Sequence, residues 1–393
     1  MSASALPAPA AANSLHFDSL PPLGLYVHLP WCVHKCPYCD FNSYEARGPL
    51  PEREYVQALL ADLGTEAAAA QGRPVASVFI GGGTPSLFSG AAIRELLAGV
   101  RGTVELAPDV EITLEANPAA VEAARFAEFR AAGVDRLSIG IQSWRSAQLR
   151  ALGRAHDAEQ ARAAVASARG AGFDNINLDL MYGLPGDDVV GSLADLEAAI
   201  ALRPTHVSWY QLTLEPNTAF ERRPPALPHD DVVAAVEEQG RALLASTGFD
   251  RYEISAYAQP GRRCRHNVNY WSFGDYLGVG AGAHGKVTLA DERVVERRAQ
   301  ARNPRTYMGR VAPQRERVAS PAQVAIEFMM NALRLVDGVD IATFVSRAGQ
   351  PIDNVAAAVA AGVARGWLRA DRRRLGATPA GLERLNRVLE LFV

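Results

Sequence analysis

Apolar residues recur along this chain in two alternating rhythms. Short runs rich in Val, Ile and Leu lie at Gly24–Leu29, Val75–Ile80, Glu111–Glu115, Arg136–Ile141, Asn175–Met181 and His206–Leu212. After each comes a stretch rich in Ala, Leu, Glu and Arg: Glu52–Gln71, Ala91–Val100, Ala119–Ala131, Asp157–Ala171, Ser192–Ala201 and Asp231–Thr247. The first set suits strands and the second helices. Six successive strand–helix units predict an α/β fold with a parallel sheet and right-handed crossovers. The rhythm alone leaves an open sheet, a partial barrel and a full barrel as alternatives.

Polar residues within this pattern place a site. Glu115, Gln142 and Asp179 each stand at or near the C-terminal end of an apolar run. The turn Gly81–Pro85 follows another run, and a cysteine-rich loop follows the first. In β/α barrels the active site gathers on that face. Five strand ends agreeing in this way predict a site rather than a set of helix caps.

The pattern changes after the sixth unit. Arg251–Ala301 is rich in Gly, Tyr and Arg, with short strand-like pieces. Ser320-Pro-Ala-Gln323 reads as an N-cap, a proline in the first turn and a glutamine closing a capping box. Helical patterns follow at Ile341–Ala348 and Asn354–Arg365, then a hairpin with a basic tip at Arg372–Arg374, and Thr378 opens a last helix. Helix, helix, hairpin, helix resembles a winged helix, and the basic tip reads as a solvated turn. The expected plan is a disordered leader over 1–23, a β/α core over 24–250, a Gly/Tyr-rich segment over 251–315 and a C-terminal helical domain over 316–393.

Composition narrows the partners. The chain has 393 residues and a formal net charge of −3, so no global basic field points to nucleic acid. Met1–Asn13 lacks the basic start of a signal peptide. No apolar run approaches a membrane span, which leaves peripheral membrane association open. Three of the four cysteines fall within eight residues. That is no disulfide framework, and it suits a reducing, cytoplasmic setting.

Those three are Cys32, Cys36 and Cys39, spaced C-x3-C-x2-C. Three thiolates can hold three irons of a [4Fe–4S] cluster, which usually takes four cysteines. The remaining iron is then open to S-adenosylmethionine, whose amino and carboxylate groups can chelate it. Cys36-Pro-Tyr-Cys39 alone could be a thioredoxin-like pair, but that motif asks for no third cysteine. Zinc held with His28 or His34 is the stronger rival. The cysteines by themselves leave cluster and zinc both open.

The strand-end residues suit a zwitterionic amino acid joined to a ribose. Gly81-Gly-Gly-Thr-Pro85 offers bare backbone to a methionine amino group. Arg154 offers a guanidinium for a carboxylate, Glu115 a carboxylate for an ammonium or sulfonium, and Asp179 an acceptor for a hydroxyl or a substrate.

Tyr26-x-His-x-Pro-x-Cys, the cysteine loop, Gly-Gly-Gly-Thr-Pro, Glu115-x-Asn-Pro, Gly140-x-Gln-Ser and Asp179-Leu-Met-Tyr-Gly-Leu-Pro together resemble the oxygen-independent coproporphyrinogen III oxidase group of radical-SAM proteins. The resemblance runs from about Gly24 onward. It implies a partial (β/α)6 barrel, with Tyr26, Tyr38, Gly82, Gly83, Thr84, Glu115, Gln142, Arg154 and Asp179 at the nucleotide. Two departures matter. The oxidase has a fourth cysteine where this chain has Phe41, and a longer N-terminal extension. Cys39-Asp-Phe-Asn-Ser and His266-Asn-Val-Asn-Tyr-Trp271 instead resemble the sister group, the radical-SAM heme chaperones. That likeness implies heme, heme-acceptor proteins and an electron donor as partners. It makes His266, Asn267, Tyr270, Trp271 and Cys264 the heme candidates. Tyr276 would add a flat surface, Gly278–Gly285 close backbone approach, and Arg262, Arg263 and Arg265 propionate contacts. The expected function is heme binding and transfer, with porphyrinogen decarboxylation as the alternative.

Overall fold

A computed structural model describes residues 14–119 and 124–393. Twelve strands form one sheet. The first six are β1 (Leu23–Leu29), β2 (Val75–Gly82), β3 (Leu106–Ala116), β4 (Arg136–Gln142), β5 (Asn175–Tyr182) and β6 (His206–Gln211). They pair in chain order and in parallel. Beyond β6 lie β7 (Asp250–Arg251) and β8 (Ala256–Ala258), with β8 antiparallel to β6. On the other side, β9 (Asp275–Val279) pairs parallel with β1. An antiparallel run of β10 (His284–Leu289), β11 (Val294–Ala299) and β12 (Gln314–Val318) continues from it. The sheet therefore ends in two edges, β12 and β7, and the barrel is partial.

The parallel strands are almost continuously apolar because helices cover one face and the barrel interior the other. Val27, Ile80, Leu114, Ile139 and Leu178 are fully buried in one large core. The helices start where the chain supplies caps. Ser89 accepts from the Ala92 amide, and Asp157 and Gln160 form a reciprocal capping box. Residues 120–123 of the expected helix Ala119–Ala131 lie outside the described residues, and its helical part is Phe126–Ala132.

Strand β9 is held by a buried ion pair that the Gly/Tyr-rich pattern did not signal. Asp275 accepts from Arg73 at 2.8 Å and from Lys286 at 2.8 Å. Burial opposes its charge, but the two cations outweigh burial and keep its pKa low.

A second core joins the C-terminal helices and the Leu368–Ala370/Arg374–Ala377 hairpin to β11 and β12. It includes Leu15 and Phe17. The reading of 1–23 as a disordered leader is therefore corrected from residue 14 on, since two apolar side chains there are buried and the His16 amide bonds Gly349 O. Residues 1–13 lie outside the described residues. The capping box at Ser320 is half made. Ser320 Oγ accepts from the Gln323 amide, but the Gln323 side chain turns to Glu327.

Candidate functional site: two adjoining cavities

The cysteine loop crosses the C-terminal end of β1. Trp31–Cys32 pairs with Tyr44–Glu45, and the Cys39 amide turns back on Cys36 O at 3.1 Å. Asn42 ties the loop to the far end of the chain, donating to Ala281 O and Arg302 O, each at 2.9 Å. Glycines make that crossing possible. A Cβ on Gly280 would lie 2.3 Å from His28 O, and one on Gly282 2.3 Å from the Asn42 side chain. Close backbone approach at Gly278–Gly285, expected to serve heme, serves this junction.

A first cavity of about 430 Å³ opens beneath the loop. Cys32, Cys36, Cys39, Tyr38, Gly83, Thr84, Glu115, Gln142, Arg154 and Asp179 line it, so ten of the predicted positions meet. Burial pushes the Cys32 thiol up to about 11 and also raises Cys39. The Cys32 and Cys39 thiolates are therefore favoured only with a cation to stabilise them. The zinc alternative lacks its fourth ligand. His28 is bonded at both ring nitrogens, to Tyr26 Oη and Asn42 O, and His34 pairs with Glu45 at 2.7 Å. Three thiols with no histidine to complete a set fit an open cluster.

The wall opposite the cysteines is charged and ordered. Arg154 donates to Gly140 O at 2.7 Å and approaches Cys36 Sγ at 3.8 Å. Its Nε is buried without a partner. A buried guanidinium with an unmet N–H fits a ligand carboxylate. Glu115 accepts from the Gly82 amide at 3.1 Å, and burial together with Asp179 pushes its pKa up to about 8. Burial also raises Asp179, against hydrogen bonds from Asn177 (2.7 Å) and Ser138 (3.0 Å). Arg136, fully buried at the start of β4, is the cation that faces both acids from below. Gln142 sits at φ 68°, a strained value for a side-chain-bearing residue. Its Oε1 accepts from Tyr210 at 2.8 Å, and the residue lines the cavity. The glycine turn does not offer free amides as expected. Those of Gly82, Gly83 and Thr84 are bonded to Glu115, Leu29 O and Trp31 O.

A second cavity, about 480 Å³, adjoins the first and is walled by rings. Tyr26, His28, His266, Tyr270, Tyr276 and His284 line it, together with Arg302, Gly82, Phe41 and Glu115. Phe41 and Glu115 face both cavities. Tyr26 and Gly82, expected at the nucleotide, belong to this second space. His266 stacks on Phe79 at 4.7 Å and Tyr26 at 6.0 Å, and burial lowers its pKa to about 4.

Three heme candidates fall elsewhere. Asn267 donates to Tyr252 Oη at 3.2 Å, Trp271 packs on the C-terminal core under Arg334, and Cys264 is buried beside Arg136 with its thiol raised to about 11. In a helix of period 3.6, positions 266 and 270 share a face that 264, 267 and 271 do not. Arg262, Arg263 and Arg265 point away, paired with Asp174, Asp337 and Asp109. Tyr210, Arg136, His284 and Arg302 were missed. Only Tyr210, one residue from the end of β6, carried the strand-end signal that found the others.

Comparison with known proteins settles the family. The Radical SAM superfamily pattern matches residues 26–196, and the HemN C-terminal domain pattern matches 319–383. The Escherichia coli protein called heme chaperone HemW is 48% identical over 374 residues, covering 95% of this chain and 99% of that one. The chain belongs to the HemW family of radical-SAM heme chaperones. The Haemophilus influenzae HemW is 43% identical over 378 residues, covering 95% of this chain and 98% of its own. A mitochondrial radical S-adenosyl methionine domain-containing protein 1 from Bos taurus is 41% identical over 293 residues, 73% of this chain and 66% of that one. The solved coproporphyrinogen III oxidase HemN of Escherichia coli superposes with a TM-score of 0.79 at 24% identity, covering 95% of this chain and 90% of that one. That likeness carries the fold alone, so the family supports the chaperone reading over the oxidase. Membership in the radical-SAM superfamily implies a [4Fe–4S] cluster and S-adenosylmethionine. Among the described residues no helix is long and apolar enough to cross a membrane.

Proposed function

We propose that this chain takes up heme in the second cavity and passes it to acceptor proteins, with a cluster and S-adenosylmethionine in the first. One observation carries the reading: the two cavities share a wall, Phe41 and Glu115, at the position where the oxidase has its fourth cysteine. A phenyl group there cannot bind metal, and its exposed ring extends the apolar lining.

Cys32, Cys36 and Cys39 would hold three irons and leave the fourth open. A reduced cluster of this kind supplies an electron to a bound sulfonium, and that chemistry belongs to the cofactor. The chain's own groups bind and orient. Arg154 receives the carboxylate through its unmet Nε. Glu115 would lose its proton to solvent and face the sulfonium, and carbonyls of the glycine turn, in place of the occupied amides, would accept from the amino group. Asp179, fixed by Asn177 and Ser138, accepts from a hydroxyl. Tyr38, half-buried beside Arg154, lines the cavity under the loop. An electron donor is required and is one of the proposed partners, together with heme and its acceptors. Cytoplasmic residence, with room for peripheral membrane contact, belongs to the same proposal.

The test is anaerobic reconstitution followed by two titrations. Iron and sulfide near four per chain, a nucleotide-dependent change at the cluster and stable hemin uptake are expected. Carbon dioxide release from coproporphyrinogen III, with no hemin uptake, would restore the oxidase.

A further inference from the structure

Three imidazoles line the second cavity, and they differ in what their nitrogens already do. His28 is engaged at Nδ1 by Tyr26 Oη and at Nε2 by Asn42 O, both at 2.9 Å. His266 is half-buried, its ring packs against Phe79 and Tyr26, and neither of its nitrogens has a hydrogen-bond partner among the described residues. His284 is equally free at its nitrogens and more exposed. It opens β10, its side chain is exposed, and neither ring nitrogen has a hydrogen-bond partner among the described residues. Its backbone is fixed all the same. A Cβ on Gly278 would lie 1.9 Å from His284 O, so the strand beneath it can only be glycine there.

Arg302 stands beside it on the same cavity. Its Nε donates to Asn42 Oδ1 at 3.3 Å, and no carboxylate among the described residues pairs with it. Arg297, the other nearby cation, is already bonded to Glu327. Burial, Arg302 and Arg297 all lower the His284 pKa, so its imidazole is neutral and carries a free lone pair at neutral pH.

We propose that His284 ligates the iron of heme held in the second cavity and that Arg302 receives a propionate, an assignment that rests on the heme reading above. Transfer gives the physical reason for a ligand at the mouth. An acceptor must bring its own ligand to the iron before the carrier lets go. An exposed imidazole on a fixed strand permits that exchange. The half-buried His266 imidazole, packed against Phe79 and Tyr26, lies deeper and is less open to a second protein. Tyr270 and Tyr276, 5.3 Å apart, then serve as a flat wall for the macrocycle.

The experiment uses the full chain with its cluster reconstituted, titrated with hemin and followed by the Soret band and by ferric-heme electron paramagnetic resonance. H284A is expected to change the ligand signature and to weaken hemin at least about tenfold, since even groups that merely support a ligand are worth that much at metal sites. Metal-free protoporphyrin IX is expected to bind H284A and wild type alike. H284C is expected to replace an imidazole signature by a thiolate one, which a folding defect could not mimic. R302A is expected to weaken hemin but not its dimethyl ester. An unchanged spectrum in H284A, with a changed one in H266A, overturns the proposal and leaves the heme reading standing. A wild-type chain that takes up no hemin overturns both.

Discussion

The two cavities share a wall but are built by opposite means. The first is lined by charged and amide side chains, each locked by neighbours: Glu115 by the Gly82 amide, Asp179 by Asn177 and Ser138, Gln142 by Tyr210, Arg154 by Gly140 O. The second is lined mainly by rings in mutual contact. A preorganised polar site suits a small ligand that must be oriented to within a bond length. A ring-walled space suits a large flat ligand that enters and leaves, since its affinity rests on area rather than on many directional bonds. A radical-generating site and a carrier site would need these two characters.

The sharpest way to break the comparison is to empty one cavity and measure the other. Cys36→Ser removes one of three thiols, so the cluster should be lost outright, read as iron and sulfide per chain. Hemin uptake should stay close to wild type because no cysteine lines the second cavity. Loss of both together would show one site, not two.

Arg154→Ala should come next in size. It removes a buried guanidinium whose Nε is otherwise unpartnered. A hydrogen bond to a charged group is worth about 1.5–3 kcal/mol, so nucleotide affinity should fall on the order of ten- to a hundredfold. Iron content should not change. Equilibrium binding to the reconstituted protein measures the first and colorimetric iron the second.

The same contrast explains what could be read from the chain in advance. The six strands were legible because each is buried on both faces and flanked by helix patterns with caps. The first cavity was legible because its residues stand at strand ends, where topology alone brings them together. Strand β9 was not, because Asp275–Val279 pairs with β1 across 250 residues of chain and is anchored by an Asp275–Lys286–Arg73 network that has no local signature. The second cavity was half legible. His266 and Tyr270 share a helical face and both line it. Asn267 and Trp271 sit on other faces of that helix and Cys264 caps it, so none of the three lines the cavity; a motif written as consecutive letters does not say which of them point together. His284 and Arg302 come from separate stretches, and only the fold brings them beside His266.

Phe41→Ala tests the shared wall. The ring is 58% exposed and contributes to both cavities. Losing partly buried aromatic area costs about 1 kcal/mol. Nucleotide and hemin should each weaken a few-fold. If only one responds, Phe41 belongs to that cavity alone.

A contrast of another kind lies in the pH dependence of stability, where Glu115 on the shared wall and His266 in the second cavity should pull in opposite directions. Glu115 has an ordinary value of 4.5 and is raised to about 8 by burial and by Asp179. Between those values the folded chain holds a proton that the unfolded chain has released, so this group's stabilising contribution is full below 4.5 and is lost as pH rises through 8. His266 is lowered from 6.5 to about 4 by burial and by Arg136. Its contribution is full above 6.5 and is lost as pH falls through 4, because the folded site keeps the ring neutral. Urea midpoints of the cluster-free protein should therefore show Glu115→Gln gaining on wild type toward pH 9. The glutamine still accepts from Gly82 but has no proton to lose. His266→Phe should gain on wild type toward pH 4 by the same logic with the sign reversed. A Glu115→Gln difference that stayed constant from pH 5 to pH 9 would mean that the acid on the shared wall is already ionised in the empty protein. Its proposed role, losing a proton to solvent so that a carboxylate faces the arriving cationic ligand, would then fail.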